Sequence, residues 1–374
     1  MNGSLYWRKR IINVFTVAIV FCAVWVSALQ AQTTAPNPLQ GLREFLAPAI
    51  SVHRRHSHEL MADRNVVGTA VGLTANRQPA IKVFTRSEAI MKIPTNLEGL
   101  PVEVEVTGPF HALGAADKEA APEAVRVPTN PRATFPRPVP IGVSTGNQND
   151  VMVIGKSIRC SAGTIGARVT DSEGKVYALS NNHVYALENN APPDSSILQP
   201  GLADTRCRVN SNNVIGTLAF FVPIVFSDSA NNTVDAAIAL SDISLLGNAT
   251  LRRGYGTPQS ATVSAFVGQN VQKYGETTRL TQGQVTGIDA TVFVDYDSGR
   301  ARFIDQIIVG SRSAFIKAGD SGSLLVTKSG VNPVNPVGLL FAGDKSGRTA
   351  IANPIALVLG AFEAFGVSIS IDGQ

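Results

Sequence analysis

Aromatic residues and cysteine are scarce in this sequence: aromatics make up 6% of its 374 residues, and there are three cysteines. No glycine-rich phosphate loop or dinucleotide-binding fingerprint stands in a strand-to-helix context, so no cofactor is expected. No internal repeat or low-complexity tract is visible. Hydrophobic residues nevertheless make up 44% of the chain, which is enough apolar surface for sizeable cores and excludes a chain that is disordered throughout.

The N-terminal segment lacks the long apolar run of a membrane-spanning helix. Three cations at positions 8–10 precede an uncharged run from Ile11 to Val26, about 16 residues, where a spanning helix needs roughly 20. This order of charged, apolar and then small residues predicts a signal peptide over residues 1–31, cleaved after Ala28 or Ala31. We therefore expect a secreted or periplasmic protein; the alternative is a retained membrane anchor with the chain facing outward.

Net charge is low once this segment is removed. The sequence has 32 basic and 28 acidic residues, and loss of the three N-terminal cations leaves 29 against 28. The sequence pI of 9.0 is therefore no evidence for a nucleic-acid partner, and none is expected. A membrane contact is expected only if the N-terminal segment is retained, and the sequence does not fix an oligomeric state.

The body of the chain has the composition of a β protein with many turns. Its 33 glycines and 21 prolines separate short runs of valine, isoleucine, alanine and threonine. Residues 41–112 are predicted to form a small α+β domain, with a short or kinked helix over 42–62 that Pro48 interrupts. Prolines in 113–140 favour an extended linker. The strands of the small domain are expected at 66–74, 79–85 and 101–108.

Residues 141–374 are predicted to form one β-rich domain. Ten or more short strands between turns indicate a closed or paired antiparallel architecture. A helix near 354–365 is expected to close the domain, because its apolar residues share one face. The predicted strands span 151–155, 159–170, 175–182, 214–222, 234–240, 262–267, 281–295, 302–309, 322–328 and 337–343.

A serine flanked by glycines is the first candidate catalytic residue. Ser321 stands in the sequence Gly-Asp-Ser-Gly-Ser at 319–323, directly before an apolar strand. The glycines allow a tight backbone that points N–H groups at one spot, so the amides of Gly319 and Ser321 are predicted to form an oxyanion hole. Nucleophilic acyl transfer needs such donors together with a base and a group that orients the base.

The candidate base is His183, the one histidine of five that lies in the β-rich region, at the end of a predicted strand. A lone histidine is more often structural, so this assignment depends on its partners. Asp235 opens an otherwise apolar strand, where a buried carboxylate needs a hydrogen-bonding partner. It is the candidate for orienting the histidine, and an ordinary strand-end cap is the alternative interpretation.

These three segments resemble the chymotrypsin-like (trypsin-fold) serine proteases. SNNHV around His183 resembles the histidine box of that family, VDAAIAL its aspartate strand and GDSGS its serine box. The order His, Asp, Ser differs from that of subtilisin-like enzymes and α/β-hydrolases. A closer resemblance is to bacterial trypsin-like proteins related to the plant narrow-leaf protease, through LQPG at 198–201, YGETTRLTQGQV at 274–285 and GLLFAG at 338–343.

The resemblance covers residues 141–365 and implies a mostly β fold with two six-stranded β-barrels, outside which the small N-terminal α+β domain lies. It implies a serine endopeptidase that acts on protein or peptide substrates through an acyl-enzyme intermediate. His183 and Asp235 would come from the first barrel and Ser321 from the second.

The resemblance also implies the substrate-binding positions Phe315, Phe341 and Gly343. Phe315 lies six residues before the nucleophile, at the base of the family's primary pocket. Because Phe315 is not acidic, cleavage after Lys or Arg is not expected. We expect a preference for apolar or small side chains instead. No IVGG-like start is present to supply a free amine for Asp320, so an internal cation or hydrogen-bond network must satisfy that carboxylate.

Cys160 and Cys207 remain as an even pair after the signal peptide is removed, and we predict a disulfide between them in an oxidising compartment. Two buried thiols are the alternative, because the sequence alone does not show that the side chains meet.

Other functions are less well supported by the sequence. A catalytically silent protease fold that serves as a binding module is the main rival. A metal site formed by His53, His56 and His58 is disfavoured, because arginines intervene and no carboxylate or thiolate cluster completes it. A cysteine protease is disfavoured because position 321 is serine. The N-terminal domain is open to three interpretations: a propeptide, an inhibitory cover or a substrate-recruiting module.

Overall fold

A computed structural model of the chain describes residues 38–88, 93–113, 129–155, 157–328 and 334–374. The predicted signal peptide and most of the predicted linker lie outside these residues. Strands dominate the described part and a short helix lies near the C-terminus, which confirms the predicted fold class. No helix in these ranges is long and apolar enough to cross a membrane. The α-helices among them are α1 (Pro38–Met61), α2 (Asn182–Tyr185) and α3 (Ile355–Ala361).

Helix α1 runs without interruption where the sequence predicts a short or kinked helix, and its polar middle has partners far along the chain. The helix runs for 24 residues and contains Pro48. Its apolar side packs on the first strands of the chain. His53, which is buried, contacts the Asp289 carboxylate through Nδ1 at 3.0 Å, and Arg54 pairs with the same carboxylate. These contacts are not visible in the sequence, since Asp289 is more than 230 positions away.

Five strands follow α1: β1 (Val66–Leu73), β2 (Pro79–Thr85), β3 (Asn96–Leu97), β4 (Leu100–Val106) and β5 (Phe110–Ala112). β1 pairs antiparallel with β2, and β2 pairs parallel with β4.

The next eleven strands build the first barrel and its attachments. The barrel order is β10-β7-β13-β14-β15-β12-β11, and β10 and β11 at the two ends of this order are successive parts of one chain segment. β8 and β9 form a hairpin, and β6 pairs with β16. The strands are β6 (Val139–Ile141), β7 (Ser144–Asn147), β8 (Met152–Ile154), β9 (Ser157–Arg159), β10 (Gly163–Thr164), β11 (Ala167–Asp171), β12 (Val176–Ser180), β13 (Ser196–Leu198), β14 (Val214–Phe221), β15 (Ala237–Ser241) and β16 (Leu246–Thr250).

The second barrel has six strands in the order β17-β20-β21-β22-β19-β18, and β18 pairs back to β17 to close it. β1 pairs with β18, so the N-terminal strands continue the sheet of this barrel, and residues 39–374 form one compact unit. The strands are β17 (Asn270–Gly275), β18 (Arg279–Tyr296), β19 (Gly299–Gly310), β20 (Leu324–Thr327), β21 (Pro336–Asp344) and β22 (Thr349–Pro354), and β23 (Ile369–Ile371) returns to pair with β11.

The segment 262–267 is not a strand, which corrects the prediction for that stretch. Its backbone is tied to the second barrel by a hydrogen bond from Val263 N–H to the carbonyl of Pro336, at 2.9 Å. Valine-rich composition alone does not distinguish such an extended segment from a paired strand.

Candidate active site

The pairing of β12 with β15 brings His183 and Asp235 together. Ser180 at the end of β12 lies opposite Ala237 at the start of β15. The chain continues from β12 into the short helix α2, which carries His183, and Asp235 stands two residues before β15. His183 Nδ1 lies 2.6 Å from one carboxylate oxygen of Asp235, and the His183 backbone N–H donates to the other at 3.2 Å.

Asp235 is fully buried and receives a further hydrogen bond from outside the first barrel. The hydroxyl of Tyr296, at the end of β18, donates to the same carboxylate oxygen that contacts the imidazole, at 2.9 Å. Burial and the charge of Asp235 raise the pKa of Tyr296, so its hydroxyl stays protonated as a donor. The backbone N–H of Asp235 donates to the side chain of Asn353, at 3.0 Å.

The environment of His183 has two opposing effects on its charge. Burial lowers the pKa of the imidazole, and the nearby Asp235 carboxylate raises it; the result is a pKa above the ordinary histidine value. Within the described residues, His183 Nε2 has no hydrogen-bond partner. The ring therefore has one nitrogen fixed by a carboxylate and the other available for a proton.

Ser321 lies on a turn of the second barrel that contacts the first. Gly319 and Gly322 on either side of it have φ values of +96° and +88°, a conformation that favours glycine. The Ser321 carbonyl accepts a hydrogen bond from Thr164 N–H of β10 at 2.7 Å. Its hydroxyl donates to the carbonyl of Phe341 at 3.3 Å and makes no hydrogen bond to the imidazole of His183.

The carboxylate of Asp320, next to the serine, is held by an internal network. Lys273 on β17 pairs with it at 3.3 Å, and both side chains are fully buried. The backbone N–H groups of Thr277 and Thr278 donate to one oxygen, at 3.0 and 3.1 Å, and the Thr278 hydroxyl donates to the other at 2.7 Å. Burial lowers the pKa of Lys273, while Asp320 acts in the opposite direction.

The Glu276 carboxylate lies against the turn at Gly319. Glu276 is buried and paired with Arg132. A Cβ atom at position 319 would lie 1.6 Å from a Glu276 carboxylate oxygen, so glycine is required there. Burial and nearby Asp204 raise the pKa of Glu276 to about 7, against the opposing effect of Arg132. The N–H of Gly319 itself donates to the carbonyl of Leu113 at 3.0 Å.

Of the three predicted substrate-binding residues, Phe341 and Gly343 lie on β21 and Phe315 lies four residues before Gly319. The side chains of Phe315 and Phe341 are fully buried. Phe315 belongs to an apolar cluster of the second barrel, and Leu113 packs against that cluster. Gly343 lies on β21 opposite His111 of β5, so the N-terminal strands cover this part of the molecule.

The predicted cysteine pair and the N-terminal histidines have defined contacts in the structure. Cys160 and Cys207 form a disulfide, as predicted, with Cα atoms 5.7 Å apart. His53 contacts the Thr69 hydroxyl through Nε2 at 2.8 Å, and His56 contacts Glu98 through Nε2 at 2.8 Å. No group of three or more metal-ligating side chains occurs within the part of the chain that the structure describes.

The chain is similar to one protein family and to several solved structures. Residues 240–355 match the Nal1 C-terminal domain family. No curated protein matches the chain. Similar solved structures include a glutamic-acid-specific serine protease (20% identity, TM-score 0.40, covering 62% of this chain and 100% of that chain), the Nocardiopsis protease NAPase (16%, 0.39, 62% and 99%) and a Cellulomonas bogoriensis chymotrypsin (18%, 0.37, 63% and 100%).

The chain is similar to the chymotrypsin-like serine proteases. This confirms the resemblance predicted from the sequence, and the match to the Nal1 domain is consistent with the predicted relation to the narrow-leaf protease. Three contacts of the candidate site were not predicted: the Tyr296 bond to Asp235, the Lys273 ion pair and the Leu113 contact with Gly319.

Proposed function

We propose that the protein is an exported serine endopeptidase. The observation that carries the proposal is the buried imidazole of His183, fixed by Asp235 at 2.6 Å, whose Nε2 has no hydrogen-bond partner among the described residues. Hydrolysis of peptide bonds needs a base of this kind beside a hydroxyl and two N–H donors. The Cys160–Cys207 disulfide and the signal-like N-terminal sequence support export.

In this mechanism, the Ser321 hydroxyl attacks the carbonyl carbon of the substrate, and His183 Nε2 takes its proton. Asp235 stabilises the imidazolium that forms. The N–H groups of Gly319 and Ser321 bind the oxyanion, and His183 then gives the proton to the leaving amine. Water hydrolyses the acyl-enzyme by the same steps. The reaction requires rotation of the Ser321 hydroxyl away from the Phe341 carbonyl, to which it donates in the structure.

A silent binding module is the second candidate, and that same Ser321–Phe341 contact favours it, because the nucleophile is not bonded to its base. Active-site labelling separates the two. We expect a fluorophosphonate to label the purified chain at Ser321 and to leave the Ser321→Ala and His183→Ala variants unlabelled. A folded wild-type chain that never reacts would favour the binding module.

A further inference from the structure

Strand β5 lies antiparallel along β21, the strand that carries two of the predicted substrate-binding residues. Ala112 is opposite Ala342, and His111 is opposite Gly343. Beyond the end of β5, the backbone N–H of Leu113 donates to the carbonyl of Phe341 at 3.4 Å. An extended peptide bound as an added strand is the ordinary way in which a sheet edge recognises a polypeptide.

The carbonyl of Leu113 is bound as well. It accepts the 3.0 Å hydrogen bond from the N–H of Gly319, which the proposed function assigns to the oxyanion hole. The Phe341 carbonyl that binds the Leu113 N–H also accepts the hydroxyl of Ser321, at 3.3 Å. The backbone of Leu113 is therefore held at its N–H by the carbonyl that also accepts the Ser321 hydroxyl, and at its C=O by the N–H of Gly319, two residues before Ser321.

The side chain of Leu113 has an apolar environment. It packs against a buried cluster of the second barrel that includes Phe315, Ile316 and Leu340. These hydrophobic neighbours suit an aliphatic side chain, and they offer no partner to a charged one. The position in the fold, the backbone contacts and the side-chain contacts of Leu113 are thus those of the residue before the cut in a bound substrate.

Resting on the proposed function, we infer that residues 110–113 are a substrate strand bound in cis and that the chain cleaves its own peptide bond after Leu113. Ser321 Oγ forms a bond to the Leu113 carbonyl carbon while its proton moves to His183 Nε2. The bond from that carbon to the nitrogen of the next residue breaks, and the nitrogen takes the proton from His183. Water then cleaves the ester, which leaves a carboxylate on Leu113 and restores the Ser321 hydroxyl. Other substrates are extended peptides with leucine or a similar aliphatic residue before the cut.

The experiment compares the intact masses of four full-length exported chains after incubation and denaturation: wild type, Ser321→Ala, Leu113→Glu and Val106→Glu. The last is the matched control, because Val106 is an exposed residue at the end of β4, the strand that precedes β5 in the chain. We expect fragments that end at Leu113 from the wild type and from Val106→Glu. Ser321→Ala stays intact, and Leu113→Glu is not cut after position 113.

A second variant separates loss of cleavage from misfolding. Leu113→Ala removes the aliphatic side chain without adding a charge, and it should slow the cleavage roughly 10-fold or more, since each methylene lost from an apolar pocket reduces the rate. A wild-type chain that is not cut after Leu113, or a Ser321→Ala chain that is, would overturn the inference.

Fluorophosphonate labelling distinguishes this failure from failure of the proposed function. If Ser321 is labelled while the wild-type chain stays uncut, the endopeptidase proposal stands and the inference is wrong. Labelling should be faster in Leu113→Glu than in wild type, because the charged side chain leaves the apolar pocket and frees the Gly319 N–H. If no variant is labelled, including Leu113→Glu, the proposed function fails and the inference fails with it.

Discussion

Lys273 and Asp320 form a 3.3 Å ion pair in which both side chains are fully buried. Asp320 directly precedes the candidate nucleophile Ser321. The pair therefore fixes the turn that carries Ser321, and its cation comes from the same barrel. The turn therefore needs no amine released by cleavage elsewhere. The sequence predicts that some internal group must take this role, and the structure assigns it to a lysine of β17.

Replacement of Lys273 should lower the stability of the folded protein. In Lys273→Met, Asp320 becomes a buried carboxylate without its cation, and we expect the free energy of unfolding to fall by about 3–5 kcal/mol, measured by urea denaturation. Fluorophosphonate labelling of Ser321 should fall with it. Lys175→Met, which removes an exposed lysine paired with Glu173, is the control and should leave unfolding and labelling unchanged. Wild-type stability in Lys273→Met would show that the threonine donors and the Lys317 N–H hold Asp320 without the lysine.

The pH dependence of hydrolysis should report the pKa of His183. A protonated imidazole cannot take the serine proton, so activity appears as pH rises through that pKa, which Asp235 holds above the ordinary value of 6.5 despite burial. In Asp235→Asn the raising effect is lost and that of burial remains. The acidic limb of kcat/KM should therefore move to lower pH, and kcat should fall by about 10⁴-fold. A limb that stays in place in Asp235→Asn would contradict the assignment of that pKa to His183.

Tyr296→Phe should move the same limb in the opposite direction. Loss of the hydroxyl removes one donor from the Asp235 carboxylate, which then interacts more strongly with the imidazole and raises its pKa further. We also expect the free energy of unfolding to fall by roughly 1.5–3 kcal/mol, the usual contribution of a hydrogen bond to a charged group. A pH titration of ester hydrolysis measures the first effect and urea denaturation the second. A limb that stays in place would mean that Tyr296 acts by packing alone, and a downward shift would contradict the stated effect of its hydroxyl on Asp235.

Gly319→Ala tests the oxyanion turn. The φ of +96° and the 1.6 Å approach of the new Cβ to Glu276 both force the turn to move. Displacement of this N–H should lower kcat by about 10²–10³-fold, measured on a small ester substrate. Gly360→Ala is the matched control, because a Cβ there meets no atom within 4 Å, and its kcat should equal that of wild type. An equal fall of kcat in the two variants would contradict the assignment of Gly319 to the oxyanion hole.

The disulfide should contribute substantially to stability. Its cysteines are 47 positions apart, and closing a loop of that length restricts the unfolded chain by about 4 kcal/mol. The double variant Cys160→Ser with Cys207→Ser should therefore unfold at lower urea concentration. Reductant should shift the wild type to the same midpoint and leave the double variant unaffected. If reductant leaves the urea midpoint of the wild type unchanged, the disulfide does not contribute to its stability.

The sequence predicts the parts of this site that depend on local pattern. His183 follows one apolar strand, Asp235 precedes another, and Ser321 stands in a glycine-rich turn, so each has a recognisable neighbourhood. Tyr296 and Lys273 lack one: each lies in a strand that has other polar residues, and what it contacts depends on barrel closure and not on its neighbours in sequence. The same holds for α1, whose polar middle argues against a helix until the distant Asp289 is seen beside it.

Because β1 and β18 share hydrogen bonds in one continuous sheet, a break in the backbone between residues 113 and 129 would not release the N-terminal piece. The two polypeptides would elute together from a gel-filtration column at the size of the uncut chain, and only a denaturing gel would resolve them. Purification of such a sample under native conditions would give a stable non-covalent heterodimer derived from one translated chain.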